Sequence, residues 1–226
     1  MRDDHKNPQA LLVTFSGIDG AGKSTQISHL RAKLEAEGLT VRLLTFWDDV
    51  AWLKLMRRNL GSKIFKGDLG VGTPEKPICR RDKNVRSPLM TVFRLGIYFA
   101  DAISLNKIAR RALRSRSDVV IFDRYIYDEL ANLNLGNSFT RLYLRAIVKV
   151  VPKPEISFFL DADPQQAWGR KPEYPLDFLH ANRNAYLKLS TLLGDITVVP
   201  PLPLDEAREE IIGGVNRFLP SYKKTA

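Results

Sequence analysis

The sequence predicts an α/β domain in which helices cover both faces of a parallel sheet of about five strands. Short apolar runs alternate along the chain with longer stretches whose apolar residues recur every three or four positions. The first apolar run ends in a glycine-rich turn that leads directly into a helical stretch. Strands that alternate with helices are joined by crossover connections, and such connections produce a parallel sheet buried on both faces.

The predicted elements follow one another in a regular order. Five apolar runs have the length of buried strands and lie at residues 11–15, 40–46, 118–122, 156–160 and 196–199. Helical spacing of apolar residues predicts helices at residues 24–37, 51–60, 89–116, 138–150, 164–170, 176–193 and 204–219. The segment 61–88 has no sustained period, so it is predicted to be a loop or an insertion.

Two helix ends carry residues with known end preferences. Gly38 stands where the C-terminal cap of the first helix belongs. Asp163 precedes Pro164, a pair typical of an N-cap followed by the first helical residue. We therefore interpret Asp163 as a cap rather than as half of a catalytic carboxylate pair with Asp161.

Composition excludes several classes of protein. The 226 residues are 44% hydrophobic and 27% charged, which is typical of a globular domain and not of a fibrous or disordered chain. The single cysteine, Cys79, cannot form an internal disulfide and indicates a reducing, cytoplasmic setting. No apolar run approaches the length of a membrane span, so we expect no integral membrane association. One domain over residues 1–226 is the economical interpretation.

The net charge of +10 is concentrated in one part of the chain. Between Ala51 and Arg94 there are eleven basic residues and three acidic ones. Such a segment attracts anions or forms a solvated basic face, and the loop at 61–88 is its main part. Aromatic residues are not interleaved with the charges in a nucleic-acid-binding motif, so we do not expect a nucleic acid partner.

The turn after the first strand matches the P-loop pattern, in which a glycine is followed by four residues and then by Gly-Lys-Ser. Its glycines let backbone N–H groups converge on phosphate oxygens, and the following helix adds the positive end of its dipole. The residues predicted to bind ATP phosphates are Gly17, Asp19, Gly20, Ala21, Gly22, Lys23, Ser24 and Thr25. Lys23 would contact the outer phosphates, and Ser24 would hold Mg²⁺. Together with the parallel sheet covered on both faces, the motif predicts a three-layer P-loop domain.

A second polar pair, Asp123 and Arg124, follows the third predicted strand. Ligands of open α/β sheets bind outside the carboxyl ends of the strands. Asp123 is therefore predicted to act on Mg²⁺ together with Ser24, and Arg124 to hold a phosphate group.

These motifs resemble the thymidylate kinases, a family of nucleoside monophosphate kinases. The resemblance is found in residues 15–26, in Asp123-Arg124-Tyr125, in residues 159–164, and at Arg170, Arg183, Ala185, Tyr186 and Leu187. It implies that Asp19 touches the acceptor sugar and that Arg124 lies near the transferred phosphate. It also implies that Arg170 begins a short lid at residues 170–175 over ATP, and that the protein is a homodimer. The predicted catalytic residues are thus Lys23, Asp123, Arg124 and Arg170.

Departures from the family pattern fall on the acceptor side. The family usually has an Arg-Glu-Pro motif after the second strand, whereas this chain has Thr45-Phe46-Trp47-Asp48-Asp49. In the long helix, Ala102 stands where the family has a second arginine. Arg94 is a candidate substitute. Phe99 is interpreted as a core aromatic, with stacking on the acceptor base as the alternative. Where the family has a glutamine that reads thymine, residues 131–133 are Ala-Asn-Leu.

The sequence therefore predicts transfer of the γ-phosphoryl group of ATP to a nucleoside monophosphate, with dTMP favoured and Asp19, Arg94, Phe99 and Arg124 binding the acceptor. A well-placed arginine contributes about 10³ to 10⁵ in rate to phosphoryl transfer, so the missing arginines leave two alternatives open. One is a P-loop kinase for another phosphorylated or hydroxylated metabolite. The other is a nucleotide-dependent binding module that docks through its basic segment.

Overall fold

The computed structural model describes residues 10–50 and 88–221 of the chain, with the side chains at 88–90 and 221 excepted. The predicted helix at 51–60 lies outside these residues. So do Cys79 and nearly all of the predicted basic loop at 61–88.

Five strands form one sheet in which every pair of neighbours is parallel. The strands are β1 (Leu11–Ser16), β2 (Val41–Thr45), β3 (Val119–Asp123), β4 (Ile156–Leu160) and β5 (Ile196–Val199). Their spatial order is β2-β3-β1-β4-β5, so β1 is central and all six of its residues are buried. The predicted five-stranded parallel sheet is confirmed.

Six of the described helices lie between strands, and a seventh follows β5. They are α1 (Lys23–Ala36), α2 (Pro88–Leu113), α3 (Ile126–Leu130), α4 (Ser138–Val150), α5 (Pro164–Arg170), α6 (Leu176–Leu193) and α7 (Leu204–Asn216). Among the described residues, no helix combines the length and the apolar character needed to cross a bilayer.

Three local features differ from the sequence prediction. Phe46 does not end β2 but begins a π-helical turn, Phe46–Val50, and the Asp49 carboxylate accepts a hydrogen bond from the Thr45 N–H there (2.7 Å). The last helix ends at Asn216, and a 3₁₀ turn, Leu219–Ser221, follows it. Helix α3 was not predicted, because five residues are too few to show a helical period.

Each face of the sheet packs against its own set of helices. Leu12 and Phe122 face a core built with α2, α3, α4 and α6. Leu11 and Phe15, on the opposite face, pack against apolar residues of α1 and α7. Alternate residues of a strand point to opposite faces, so one strand supplies both cores and the architecture has three layers.

The outer side of α2 carries an apolar stripe. Val92, Phe99 and Ile103 are 66%, 47% and 38% exposed, and their spacings of seven and four residues bring them onto one side of the helix. We call these three residues the α2 stripe. Their exposure sets them apart from Tyr98 and Leu105, which are buried in the core on the other side.

The two adjacent glycines of α7 provide a test of this packing. A Cβ at Gly213 would meet nothing within 4 Å, so Gly213→Ala is expected to raise the free energy of unfolding by about 0.5–1 kcal/mol through helix propensity. A Cβ at Gly214 would lie 3.0 Å from Ile156 Cδ1 and from Phe158 Cζ. We expect this crowding to outweigh the same gain, so that Gly214→Ala lowers the free energy of unfolding by about 1 kcal/mol. Urea unfolding followed by circular dichroism measures both, and equal stabilisation by the two substitutions would contradict the described contact between α7 and β4.

Candidate active site

The glycine-rich loop after β1 packs tightly against its surroundings. Gly20 has a φ of +82°, a left-handed value that favours glycine, and a Cβ there would lie 2.3 Å from the Ala167 carbonyl oxygen in α5. Gly22, with a φ of +88°, caps the N-terminus of α1. The loop therefore leads from the central strand to the N-terminus of α1, where N–H groups without intrahelical acceptors favour an anion.

Lys23 is buried at the start of α1. Its Nζ donates hydrogen bonds to the Gly17 and Ile18 carbonyl oxygens, both at 2.8 Å. Burial, reinforced by the nearby positive charge of Arg124, lowers the pKa of Lys23 to about 8, although Asp19, Asp128 and Asp123 act in the opposite direction. The ammonium group is thus fixed within the loop, with two of its three donors used there.

Ser24 and Thr25 follow Lys23 in the first turn of α1, and both are exposed. The first N–H groups of a helix lack intrahelical acceptors, and no acidic side chain occupies the first turn of α1. Hydroxyl and amide donors are therefore accessible to a ligand at this helix end.

Asp123 lies at the carboxyl end of β3, in register with Phe15 of β1 and Thr45 of β2. Burial raises the pKa of its carboxyl group, and the positive charges of Lys23 and Arg124 oppose the shift. Its Oδ1 is buried and has no hydrogen-bond partner among the described residues. A buried carboxylate oxygen without a partner fits a Mg²⁺ ligand, because Mg²⁺ is usually held by one or two carboxylates together with phosphate oxygens and water.

Arg124 is held in an unusual backbone conformation. Its φ is +69°, and it is the one non-glycine residue with a positive φ in the described part of the chain. Its N–H donates to the Phe15 carbonyl oxygen (2.9 Å), and its guanidinium forms ion pairs with Asp19 of the loop and with Asp128 of α3. Burial lowers the pKa of Arg124, but the Asp128 and Asp19 carboxylates outweigh it, and the net pKa is raised. A strained residue of this kind is typical of functional sites.

Asp128 is the site residue that the sequence analysis missed. The carboxylate is buried and accepts hydrogen bonds from Ser16 Oγ (2.7 Å), Tyr186 OH (2.6 Å), Arg124 Nη1 (2.9 Å) and the Tyr125 N–H (3.2 Å). The four-residue spacing from Arg124 is the one signal in the sequence that points to their ion pair.

Arg170 reaches the loop from the last turn of α5. Its Nη1 donates to the Gly20 carbonyl oxygen (3.1 Å), and its side chain is otherwise exposed. In the predicted lid at residues 170–175, Lys171 and Glu173 form an ion pair (3.1 Å), and Tyr174 is buried. Asp163 caps α5 by accepting from the Gln166 N–H (2.9 Å), as predicted. Asp161 accepts two hydrogen bonds from Arg183, at 2.6 and 2.7 Å.

The chain is similar to several known proteins over most of its length. No protein-family model matches it. It is 25% identical over 211 residues to "Probable thymidylate kinase" of Methanosphaera stadtmanae, covering 89% of this chain and 97% of that protein. It is 26% identical over 219 residues to "Probable thymidylate kinase" of Archaeoglobus fulgidus, covering 92% and 96%. It is 27% identical over 190 residues to "Thymidylate kinase" of Bifidobacterium longum, covering 80% and 84%.

Solved structures of thymidylate kinases have the same fold as this chain. Thymidylate kinase of Ehrlichia chaffeensis matches with a TM-score of 0.58 at 22% identity, covering 92% of this chain and 99% of that one. Thymidylate kinase of Candida albicans matches with a TM-score of 0.59 at 18% identity, covering 92% of both chains. The chain is a relative of the thymidylate kinases. The predicted three-layer P-loop fold is confirmed.

In this thymidylate kinase relative, the structure gives the positions of the residues that the sequence analysis related to acceptor binding. Ala102, which stands in place of a family arginine, is fully buried in the core. Arg94 is half-buried in the first two turns of α2. Helices in parallel α/β crossovers run antiparallel to the strands. Arg94, near the start of α2, therefore lies toward the carboxyl ends of the strands, where the P-loop also lies. This position is compatible with contact between Arg94 and the acceptor phosphate, and that role stays a prediction.

Phe99 is not a core aromatic. It is 47% exposed as part of the α2 stripe, whereas its neighbour Tyr98 is buried. The interpretation of Phe99 as a core residue is therefore wrong, because position 99 falls on the outer side of α2. Stacking of Phe99 on an acceptor base stays a prediction.

The pKa of Lys23 generates a prediction about nucleotide binding by this thymidylate kinase relative. Only the charged ammonium group attracts phosphates, so the affinity for MgATP is expected to fall as the pH rises through 8, by up to about tenfold per pH unit. An arginine stays charged at every pH of interest, so whatever affinity Lys23→Arg retains should not vary between pH 7.5 and 9.5. Isothermal titration calorimetry measures both profiles, and a flat profile for the unaltered protein would contradict the shifted pKa.

Proposed function

We propose that this chain is an ATP-dependent kinase that transfers the γ-phosphoryl group of ATP to a nucleoside monophosphate, with dTMP as the acceptor. The observation that carries the proposal is the convergence of Lys23, Asp123 and Arg124 around the P-loop. Similarity to proteins named thymidylate kinase over 80–92% of the chain supports the same activity and favours dTMP over other metabolites.

The donor side of the proposed reaction rests on the loop. The backbone N–H groups of the loop and the Lys23 ammonium would bind the β- and γ-phosphates of ATP. Ser24 and Asp123 would hold Mg²⁺, which when bound neutralises the charge that develops on the phosphate oxygens. The unpartnered Asp123 Oδ1 and the exposed Ser24 hydroxyl support this assignment.

Arginines would stabilise the transferring group. Phosphoryl transfer passes through a loose transition state, so catalysis consists mainly of positioning and of charge stabilisation. Arg124 is fixed beside the loop by two carboxylates, and Arg170 is attached to the loop through the Gly20 carbonyl oxygen. We assign Arg124 to the transferred phosphoryl group and Arg170 to the lid over ATP.

The acceptor side is proposed from position. Asp19 would contact the acceptor sugar, and Arg94 would take the place of the missing family arginines on the acceptor phosphate. Phe99 is the proposed base-stacking residue. Basic residues of the segment 61–88 would be a second source of cations for the acceptor phosphate.

A coupled assay of ADP formation tests the function directly. With Mg²⁺ and ATP, we expect turnover on dTMP to exceed turnover on the other nucleoside monophosphates and on nucleosides. We expect Lys23→Ala to reduce kcat/KM by about 10²- to 10³-fold, because it removes a charged donor from the transferring phosphates. Lys149→Ala, which changes an exposed lysine of α4, is the matched control and should leave turnover unchanged.

Two results would overturn parts of this proposal. Turnover on another phosphorylated metabolite, with none on dTMP, would keep the kinase and replace its acceptor. ATP binding without turnover on any acceptor would favour a nucleotide-dependent binding module.

We also propose that the protein is a homodimer in which Val92 and Ile103 of the α2 stripe pack against the same residues of the other copy. Apolar side chains spaced by seven and four residues form the seam between two packed helices. Val92 and Ile103 are separated by one spacing of each kind and are exposed in the single chain. The resemblance to the thymidylate kinases implies the same oligomeric state.

Two substitutions in the α2 stripe separate dimer formation, which is assigned to Val92 and Ile103, from acceptor binding, which is assigned to Phe99. Val92→Glu places a charge in the proposed seam, so we expect sedimentation velocity to show a mass near 25.6 kDa instead of about twice that value. Phe99→Ala is expected to raise the KM for dTMP by about tenfold through loss of stacking, a loss on the scale of 1–3 kcal/mol. A dimer that survives Val92→Glu would contradict the seam, and an unchanged KM in Phe99→Ala would remove that residue from the acceptor site.

A further inference from the structure

We propose that Asp128 is the positioning residue that orients the Arg124 guanidinium for phosphoryl transfer. The inference rests on the proposed function, because it concerns the same transferred group. It adds a residue outside both the P-loop and the acceptor motifs, at a position that the resemblance to known kinases did not mark.

Arg124 has two carboxylate partners that differ in how firmly they are held. Asp19 belongs to the glycine-rich loop, and its side chain is 20% exposed. Asp128 lies on α3, and its side chain is 1% exposed. The Asp19 carboxylate is expected to contact the acceptor, so it cannot also hold the Arg124 guanidinium in a constant orientation. The Asp128 carboxylate is shielded from solvent and can hold it.

The Asp128 carboxylate is itself anchored from three directions. Ser16 Oγ donates to Oδ2 from β1 (2.7 Å), and the Tyr125 N–H donates to the same oxygen from the start of α3 (3.2 Å). Tyr186 OH donates to Oδ1 from α6 (2.6 Å). The Tyr186 ring is stacked on Phe159 of β4, with ring centres 5.0 Å apart, so this donor is held by the core.

These contacts leave the carboxylate little freedom. Oδ1 accepts from Tyr186 and Arg124, and Oδ2 accepts from Ser16 and Tyr125, so both oxygens are fully engaged on the protein side. The Arg124 guanidinium is attached to this carboxylate through Nη1 (2.9 Å), while its backbone is tied to Phe15 at a positive φ. Both ends of the arginine are therefore fixed to the sheet framework, which is the arrangement that preorganised charge stabilisation requires.

A double-mutant cycle tests this role. We expect Asp128→Asn to lower kcat on dTMP by about 10²-fold with little change in the KM for ATP, because a displacement of about 1 Å at a catalytic group has an effect of that size. We expect Arg124→Ala to lower kcat by about 10³-fold or more. In the Arg124→Ala background, Asp128→Asn should cause no further loss. Independent losses that multiply would overturn the positioning role.

Two further variants guard against a merely structural explanation. Asp161→Asn is the matched control, because Asp161 is also a buried aspartate, and its arginine partner is Arg183 instead of Arg124. It should lower the melting temperature without coupling to Arg124→Ala in the kinetic cycle. If Asp128→Asn fails to fold, Tyr186→Phe removes one hydrogen bond from the carboxylate and should lower kcat about fivefold, again only while Arg124 is present.

A binding experiment keeps failure of this inference distinct from failure of the proposed function. ADP with aluminium fluoride and Mg²⁺ mimics the transferring phosphoryl group and needs no acceptor. We expect Asp128→Asn to weaken its binding about tenfold while leaving ADP binding unchanged, even if no acceptor in the panel is turned over. Equal binding of the aluminium fluoride complex by Asp128→Asn and the unaltered protein would overturn the inference.

Discussion

The parallel pairing of β1 with β3 is the constraint on which the candidate site depends. It sets Phe15 opposite Asp123, so the strand that leads into the glycine-rich loop ends beside the strand that supplies the acidic and basic pair. The Arg124 N–H then extends this pairing by one more hydrogen bond to Phe15. A shift of one residue in this register would turn Asp123 to the opposite face of the sheet and separate it from Lys23.

Electrostatics explains how so many charges are accommodated in one small region. Burial alone lowers the pKa of Lys23 and raises that of Asp123, since both charged forms lose solvation. Opposite charges nearby limit these shifts, and for Arg124 they reverse the effect of burial. The cluster is held by mutual compensation, so removal of one member leaves another buried charge without its partner.

Sequence reasoning was most successful where periodicity and special residues coincide. The bounds of α4 and α6 and of the last two strands match the prediction, because long amphipathic stretches and short apolar runs are strong signals. The P-loop pattern and the Asp123-Arg124 pair could be picked out in the sequence because each lies directly at the end of a predicted strand, and their roles stay predictions.

The remaining parts depend on contacts between distant positions. Asp128 receives hydrogen bonds from Ser16 and Tyr186, which lie 112 and 58 residues away, and no local pattern reports such a meeting. Phe99 and Tyr98 are adjacent aromatics, and which of them faces outward depends on the rotation of α2 against the sheet. In the turn at Phe46–Val50, the Asp49 carboxylate accepts a hydrogen bond from the N–H of Thr45, the last residue of β2. A side-chain contact of this kind has no signal in the apolar pattern of the sequence.

The close approach between Gly20 and Ala167 has a mechanical meaning. The main chain of the loop at Gly20 lies directly against the main chain of α5 at Ala167, with no side chain between them. Rotamer changes therefore cannot absorb a displacement of the loop, and α5 must follow any movement that a nucleotide imposes on it. Arg170 lies at the far end of that helix, so the position of the arginine is mechanically coupled to the shape of the loop.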